Sequence, residues 1–283
     1  MTSSLSRQLL VFTDLDGCLL DHFSYSYEPA RPALIELKSR KIPLILSSSK
    51  TLAELADLSA ELNLSTPFIV ENGAGVILPD GYFTAPVGDL ESNEGLLLKT
   101  FGAGLLDVVR ILHELRDEYG FMFSGFSDMT STEVADLTGL SIAGAEKARQ
   151  RLFTEPLLWQ DSDQNWLIFS QRLNDAGLSF LRGGRFIHIT GGGDKGMALD
   201  WLRGCYEKET GSLPLVMALG DSDNDVAMLA KADYPVVVRS PVHQPPVIEG
   251  RAGIIFTEKT GPAGWNDAVL DRLRLFEKNG TGK

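Results

Sequence analysis

The sequence predicts an α/β protein: a doubly wound parallel sheet that is interrupted by a separate α+β unit and then resumed. Three observations predict it. Short apolar runs alternate with stretches of helical spacing near both ends of the chain. The middle is dominated by helical spacing with only short strand segments between. The length, 283 residues, fits two domains of ordinary size better than one small core.

The first half of the sheet is read as β-α-β-α-β. Leu9 to Thr13 is a β-prone run that stops abruptly at Asp14. Ala30 to Lys41 has helical spacing at Ala33, Leu34 and Leu37, with Pro32 suited to a first turn. Ile42 to Leu46 is a continuous apolar run followed by Ser47, Ser48 and Ser49. Thr51 to Leu62 is a further helix capped by a hydroxyl residue, and Pro67 to Val70 a third strand. The pattern returns late: Lys195 to Glu209 as helix, Leu215 to Leu219 as a buried strand, Asp225 to Ala230 as helix and Val236 to Val238 as strand. Ala263 to Phe276 closes the chain with a helical face of Trp265, Val269, Leu273 and Phe276.

Between them, helices are expected at Leu105 to Tyr119, Ser131 to Leu137, Ile142 to Phe153 and Trp166 to Asp175. Phe180 to His188 reads as a hairpin turning at Gly183-Gly184, where glycine supplies positive φ. The expected organisation is thus a Rossmann-like core of residues 1–86 and 190–283, with an inserted α+β cap domain at 87–189.

Composition narrows the function classes. A net charge of -12 argues against nucleic acid and anionic membrane surfaces as partners. No apolar run approaches the roughly 20 residues a membrane helix needs. Cys18 and Cys205 have no metal-ligand spacing and are too few for a disulfide framework, which points to a reduced, cytoplasmic protein. The start, Met-Thr-Ser-Ser leading into a strand, reads as having no signal peptide. Nothing in the sequence specifies an oligomeric state.

In a parallel sheet, ligands collect at the carboxyl ends of strands. Four polar groups stand there: Asp14 and Asp16 in Thr-Asp-Leu-Asp-Gly-Cys, Ser48, Lys195 in Gly-Gly-Asp-Lys-Gly, and Asp221 with Asp225 in Gly-Asp-Ser-Asp-Asn-Asp. Each taken singly has a structural reading. The D-x-D-G tetrapeptide is a turn or helix cap, Ser48 a capping hydroxyl, Lys195 a solvated helix residue, and the Asp-rich loop a cap or weak calcium loop. That loop lacks the spacing and terminal glutamate of an EF-hand. Their joint occurrence, each after a strand-like run, favours one site. Clustered carboxylates repel unless a cation is present, and a hard, oxygen-preferring ion such as Mg2+ suits them. Lys195 can neutralise charge from another side, while Ser48 and backbone N–H groups can hold phosphoryl oxygens.

This ordered set resembles the four motifs of the haloacid dehalogenase superfamily, over the whole chain. The resemblance implies that Asp14 is a nucleophile forming an aspartyl-phosphate and Asp16 a general acid and base. It implies Mg2+ ligands at Asp14, the Asp16 backbone carbonyl and Asp221, with Asp225 nearby. An insertion between Ser48 and Lys195 matches the subgroup with an α/β cap. Two departures are Cys18 where the family usually has Thr, and Ser rather than Thr in the second motif. Cys18 is read as a buried small residue.

Further stretches resemble the mannosyl-3-phosphoglycerate phosphatases. They include Leu46-Ser47-Ser48-Ser49-Lys50-Thr51, Leu20-Asp21-His22-Phe23-Ser24-Tyr25, Ile69-Val70-Glu71-Asn72-Gly73 and Ser124-Gly125-Phe126-Ser127-Asp128-Met129-Thr130. Others are Arg151-Leu152-Phe153-Thr154-Glu155-Pro156, Gly183-Gly184-Arg185-Phe186-Ile187-His188 and Gly261-Pro262-Ala263-Gly264-Trp265. The substrate so implied is a small phosphorylated sugar acid, and the product a glycoside of the compatible-solute type. Its carboxylate calls for Arg, and Arg151 and Arg185 are the expected cap cations. Its hydroxyls can meet Asn72, Ser127, Asp128, Thr130 and Glu155. Competing readings stay open: Asn72-Gly73 as a hairpin turn, Arg151 paired with Glu155, Arg185 facing water, and Trp265 and His188 as structural residues. At the level of function, three rivals remain. They are a broader sugar-phosphate phosphatase, a phosphotransferase or mutase, and a phosphometabolite sensor without turnover.

Overall fold

The computed structural model describes residues 8–280 apart from 86, 89, 94, 183 and 184. The expected Gly183-Gly184 turn therefore lies outside the described residues. The chain opens with β1 (Leu9–Thr13), α1 (Arg31–Ser39), β2 (Leu44–Leu46), α2 (Leu52–Glu61) and β3 (Phe68–Val70). Three strands follow, β4 (Gly75–Pro79), β5 (Glu91–Asn93) and β6 (Leu96–Thr100). Next come α3 (Leu105–Tyr119), β7 (Phe123–Gly125), α4 (Ser131–Thr138), α5 (Ile142–Arg149), β8 (Thr154–Trp159), α6 (Asp163–Asp175), β9 (Ser179–Arg182) and β10 (Ile187–Thr190). The chain returns through α7 (Lys195–Thr210), β11 (Leu215–Gly220), α8 (Val226–Lys231), β12 (Tyr234–Arg239), β13 (Ile255–Thr260) and α9 (Gly261–Gly280).

The central sheet has the order β13-β12-β11-β1-β2, and every pairing in it is parallel. It is buried on both faces, which is why its inner strands read as unbroken apolar runs. Along β1, Leu9 and Val11 join a core with Leu37, Leu55, Trp265 and Val269, from α1, α2 and α9. Leu10 and Phe12 join the opposite core with Ala198, Leu202, Met228 and Leu229, from α7 and α8. That alternation is the two-layer covering expected of a doubly wound fold. No helix of the described residues is long and apolar enough to cross a membrane.

β3 lies parallel beside β2 through one bridge, Ser47 to Ile69, and then pairs antiparallel with β4. It so begins a second sheet, β3-β4-β6-β5, that the sequence did not announce. Gly75 and Pro79 end β4, and Leu96–Thr100 is only half-buried, so neither strand carries a clean alternation. β13 escaped notice for a similar reason: it is an edge strand, exposed at all residues but Thr257. The strands at 91–100 pair with this core-side sheet rather than with the sheet of the inserted unit.

The inserted unit is an antiparallel sheet in the order β7-β8-β10-β9. One face packs Leu157, Ile187 and Ile189 against Val108 and Leu112 of α3 and Trp166 and Phe169 of α6. A smaller cluster seats α4 and α5 on Phe126 and Leu158 through Val134, Ala135, Ala145 and Ala148.

Helix α5 stops at Arg149 instead of continuing to Phe153, and the reason lies in the core. The fully buried Glu71 carboxylate accepts the backbone N–H groups of Leu152, Phe153 and Thr154 at 2.7, 3.2 and 2.8 Å. Those donors are thereby drawn out of helical register. Phe153 is buried in the core cluster beside Val70 and Ala74. Segment 151–154 thus fastens the inserted unit to the core.

Candidate active site

β1 and β11 lie side by side in register, Thr13 opposite Leu219, and the Asp14 N–H extends the ladder to the Leu219 carbonyl at 2.9 Å. Asp14 and Asp221 therefore emerge at the same edge. Thr13 anchors the strand end: its Oγ1 donates to the Asp14 carbonyl and accepts from Trp265 Nε1 at 2.9 Å. Trp265 is fully buried, as expected for a core residue. The glycine of Asp-Leu-Asp-Gly is required by shape. Gly17 has φ +81°, and a Cβ there would lie 2.7 Å from Asp221 Oδ2.

Lys195 begins α7, behind the N-capping Asp194. It is held against the site by a close approach of the β3–β4 turn: a Cβ at Gly73, φ +94°, would stand 2.1 Å from the Asp194 carbonyl carbon. The Lys195 side chain is fully buried, which excludes a solvated role. Its Nζ donates to Asp14 Oδ1 at 2.6 Å and Asp225 Oδ1 at 2.7 Å. Burial alone would lower its proton affinity, but the two carboxylates outweigh this and hold it above its ordinary value. Asp14 is raised well above the usual carboxylate range, chiefly by burial, against the opposing pull of Lys195. Burial and the Asp225 carboxylate push Asp221 up to about 7.

Asp225 uses both oxygens: Oδ1 on Lys195, and Oδ2 on the N–H groups of Asp221 and Ser222. One carboxylate oxygen each from Asp14, Asp221 and Asp225 lies within 4.8 Å of the others. Asp221 Oδ1 and Asp16 Oδ1 are buried with no hydrogen-bond partner. Hard oxygen donors, crowded and partly unsatisfied, fit a small divalent cation.

Asp16 Oδ2 pairs with Lys50 Nζ at 2.8 Å, a contact the sequence did not assign. Lys50 follows β2 in the run Ser47-Ser48-Ser49-Lys50, so its place after a strand end was the available signal. Ser48 is buried, its N–H on the Ile69 carbonyl, its carbonyl accepting from the Asn72 N–H, and its Oγ accepting from the Lys50 N–H at 3.3 Å. His243 Nε2 lies 3.0 Å from Asp221 Oδ2. It comes from an irregular loop that no periodicity marks. Cys18 is buried, and burial pushes its thiol well up, as suits a packing residue.

A cavity of about 610 Å3 opens over these groups. The core lines it with Asp16, Ser49, Asn72 and Asp221, and the inserted unit with Leu181, Arg182 and His188. Asn72 is both a turn residue and a cavity-lining residue. It turns the chain between β3 and β4 in the left-handed region, φ 60°, and its side chain reaches the cavity, where Oδ1 accepts from Asn224 Nδ2.

The expected cap cations do not line the cavity. Arg151 is buried elsewhere: it donates to the Ser49 carbonyl at 3.0 Å and to Thr154, and sits 3.5 Å from Glu71. Its donors are consumed by bracing the joint, and its acidic partner is Glu71 rather than Glu155. Arg185 is exposed and does not line the cavity. Arg182 does, with its guanidinium 4.5 Å from the Trp166 ring centroid. The expected hydroxyl partners are likewise used internally: Glu155 accepts from Ser127, Asp128 pairs with Arg116 and His113, and Thr130 caps α4.

A family model described as haloacid dehalogenase-like hydrolase matches residues 11–84. The chain is 37% identical over 266 residues to a glucosyl-3-phosphoglycerate/mannosyl-3-phosphoglycerate phosphatase of Methanococcoides burtonii, covering 93% of this chain and 97% of that one. It is 35% identical over 271 residues to the protein of the same name from Persephonella marina, covering 95% and 99%. Among solved structures, its fold is similar to that of a haloalkanoate dehalogenase superfamily phosphatase of Bacteroides thetaiotaomicron. There the TM-score is 0.65 at 17% identity over 98% of both chains. A Streptococcus mutans protein gives TM-score 0.64 at 20% identity, over 95% of this chain and 100% of that one.

Proposed function

This chain belongs to the mannosyl-3-phosphoglycerate phosphatase family of haloacid dehalogenase-like hydrolases and is a phosphoric monoester hydrolase. On that premise we propose that it hydrolyses mannosyl- or glucosyl-3-phosphoglycerate to the glycosylglycerate and phosphate. The observation that carries the chemistry is the buried Lys195 on Asp14, with Asp16 two residues on at the cavity wall. The names of the two relatives, which span both sugars, support the substrate.

In this mechanism an Asp14 oxygen attacks phosphorus and the bond from phosphorus to the glycerate oxygen breaks. Asp16 gives its proton to that leaving oxygen. Asp16 then takes a proton from water, the water oxygen attacks phosphorus, and phosphate leaves with Asp14 restored. Lys195 opposes the burial that favours the protonated form of Asp14, and Asp225 holds Lys195 in place. Ser48 and the backbone around it hold phosphoryl oxygens. Asp14, Asp221 and the Asp16 carbonyl are the proposed Mg2+ ligands, with Asp225 completing the acidic cluster. The ion supplies positive charge toward the phosphate dianion.

The proposed division is a core of 1–86 and 190–283 with a specificity-setting cap within 87–189, the cap proper beginning at α3 because β5 and β6 pair with the core-side sheet. Asn72 is a proposed substrate contact from the core side. No cap arginine is assigned to the glycerate carboxylate: Arg151 and Arg185 do not line the cavity, and Arg182, which borders it, has its guanidinium stacked on Trp166.

The test is phosphate release from mannosyl- and glucosyl-3-phosphoglycerate, 3-phosphoglycerate and several hexose phosphates, with Mg2+ and with chelator. Preference for the glycosyl esters, lost with chelator, is the expected result. Equal release from all esters would discard the substrate and keep the hydrolase.

A further inference from the structure

His188 sits on β10 between Pro156 of β8 and Leu181 of β9. Neither neighbouring side chain has a polar atom to offer it. Among the described residues the imidazole makes no hydrogen bond, and its Nδ1 is buried without a partner. It lines the cavity beside Leu181 and Arg182, facing a wall that includes Asp16, Asn72 and Asp221. A polar ring at a cavity wall with no hydrogen-bond partner in the protein is served by a ligand that supplies one. The charge state restricts that ligand. Burial, helped by the Arg151 cation, lowers the His188 pKa to about 3, so the ring is neutral at physiological pH. A neutral imidazole has one donor and one acceptor and no charge to give an anion. A hydroxyl can serve either one, accepting from the N–H or donating to the bare nitrogen. A phosphoryl group or a carboxylate would find no charge on this ring, which leaves the sugar hydroxyls for it.

We infer that His188 is a specificity residue of the cap, hydrogen-bonding a hydroxyl on the non-reacting, sugar part of the substrate while the phosphoryl group lies against Asp14. The inference rests on the reading of the cavity as a sugar-phosphate site. It places the discrimination in the strand that closes the cavity from above, away from the reacting atoms.

The test compares the wild type with His188→Phe, which keeps a ring and removes both nitrogens, and His188→Gln, which restores a donor and an acceptor. The readout is selectivity: kcat/KM for mannosyl-3-phosphoglycerate, and separately for mannose 6-phosphate, each divided by kcat/KM for p-nitrophenyl phosphate. The Phe variant is expected to lose about tenfold in selectivity, mostly through KM, with the Gln variant recovering part of it. If the Phe variant does not fold, His188→Leu is read on the same ratio. Wild-type selectivity in the apolar variant overturns the inference, as does an equal loss on all three esters. A wild-type enzyme that prefers mannose 6-phosphate overturns the proposed substrate only, and His188 is then judged on that ester. A wild-type enzyme with no preference for sugar esters over p-nitrophenyl phosphate overturns the role of His188 itself.

Discussion

Lys195 Nζ lies 2.6 Å from Asp14 Oδ1, both groups buried at the edge where β1 and β11 end. One cation thereby offsets the repulsion among Asp14, Asp221 and Asp225. Removing it leaves buried carboxylates uncompensated. Lys195→Met is expected to lose about 3–5 kcal/mol of stability and at least about hundredfold in turnover. Urea unfolding and phosphate release measure both, and unchanged stability would show that the pair contributes nothing net to the fold.

Asp14→Asn keeps the shape and removes the proposed nucleophile. Turnover should fall to the limit of detection while the circular dichroism spectrum and melting temperature stay near wild type. Activity close to wild type would end the aspartyl-phosphate mechanism.

The acidic cluster should report a cation by stability alone. Binding to the native state raises stability by about 2.7 kcal/mol at a hundredfold excess over Kd. Addition of Mg2+ is expected to raise the melting temperature, chelator to reverse it, and Asp221→Asn to blunt the rise. A melting temperature indifferent to Mg2+ and to chelator would remove the ion from the site.

His188 makes stability depend on pH in a definite direction. Its native pKa is lowered to about 3 from an ordinary 6.5, chiefly by burial and secondarily by Arg151. Above the unfolded value neither state carries the proton, and the contribution is fully present. As pH falls toward 3 the unfolded chain binds a proton that the native ring refuses, so stability is lost. At pH 5 the loss is on the order of 2 kcal/mol. His188→Gln should lose less than the wild type between pH 7 and pH 5 in urea unfolding; identical losses would contradict a buried neutral ring.

Glu71 ties segment 151–154 to the core with three backbone N–H bonds and the Thr154 hydroxyl at 2.8 Å. Glu71→Ala strands those donors and leaves Arg151 without its carboxylate. A destabilisation of about 3–5 kcal/mol is expected, with faster proteolytic cleavage between residues 149 and 155. Wild-type resistance to protease would mean that other contacts carry the joint.

The clustered acidic and basic residues of the core were legible because each follows an apolar run. Strand ends of a parallel sheet converge on one edge, so Asp14, Lys195 and Asp221 could be grouped before any distance was known. The joint and the cavity wall were not legible in this way. Arg151 and Arg182 are both arginines of the inserted unit, and local sequence does not separate them. One is consumed by Ser49 and Thr154, and the other borders the cavity from β9 with its guanidinium on Trp166. Glu71 stands beside the Asn72-Gly73 turn, and nothing local marks that its carboxylate sets where α5 ends.

The sequence by itself determined the parallel sheet, the interruption and the order of the acidic and basic groups, because periodicity and strand-end position are local properties of the chain. Only the tertiary structure decided which residues look into the cavity. That choice depends on strand register, where a shift of one residue turns a side chain to the other face. It depends also on which buried donors are already spent on other parts of the fold.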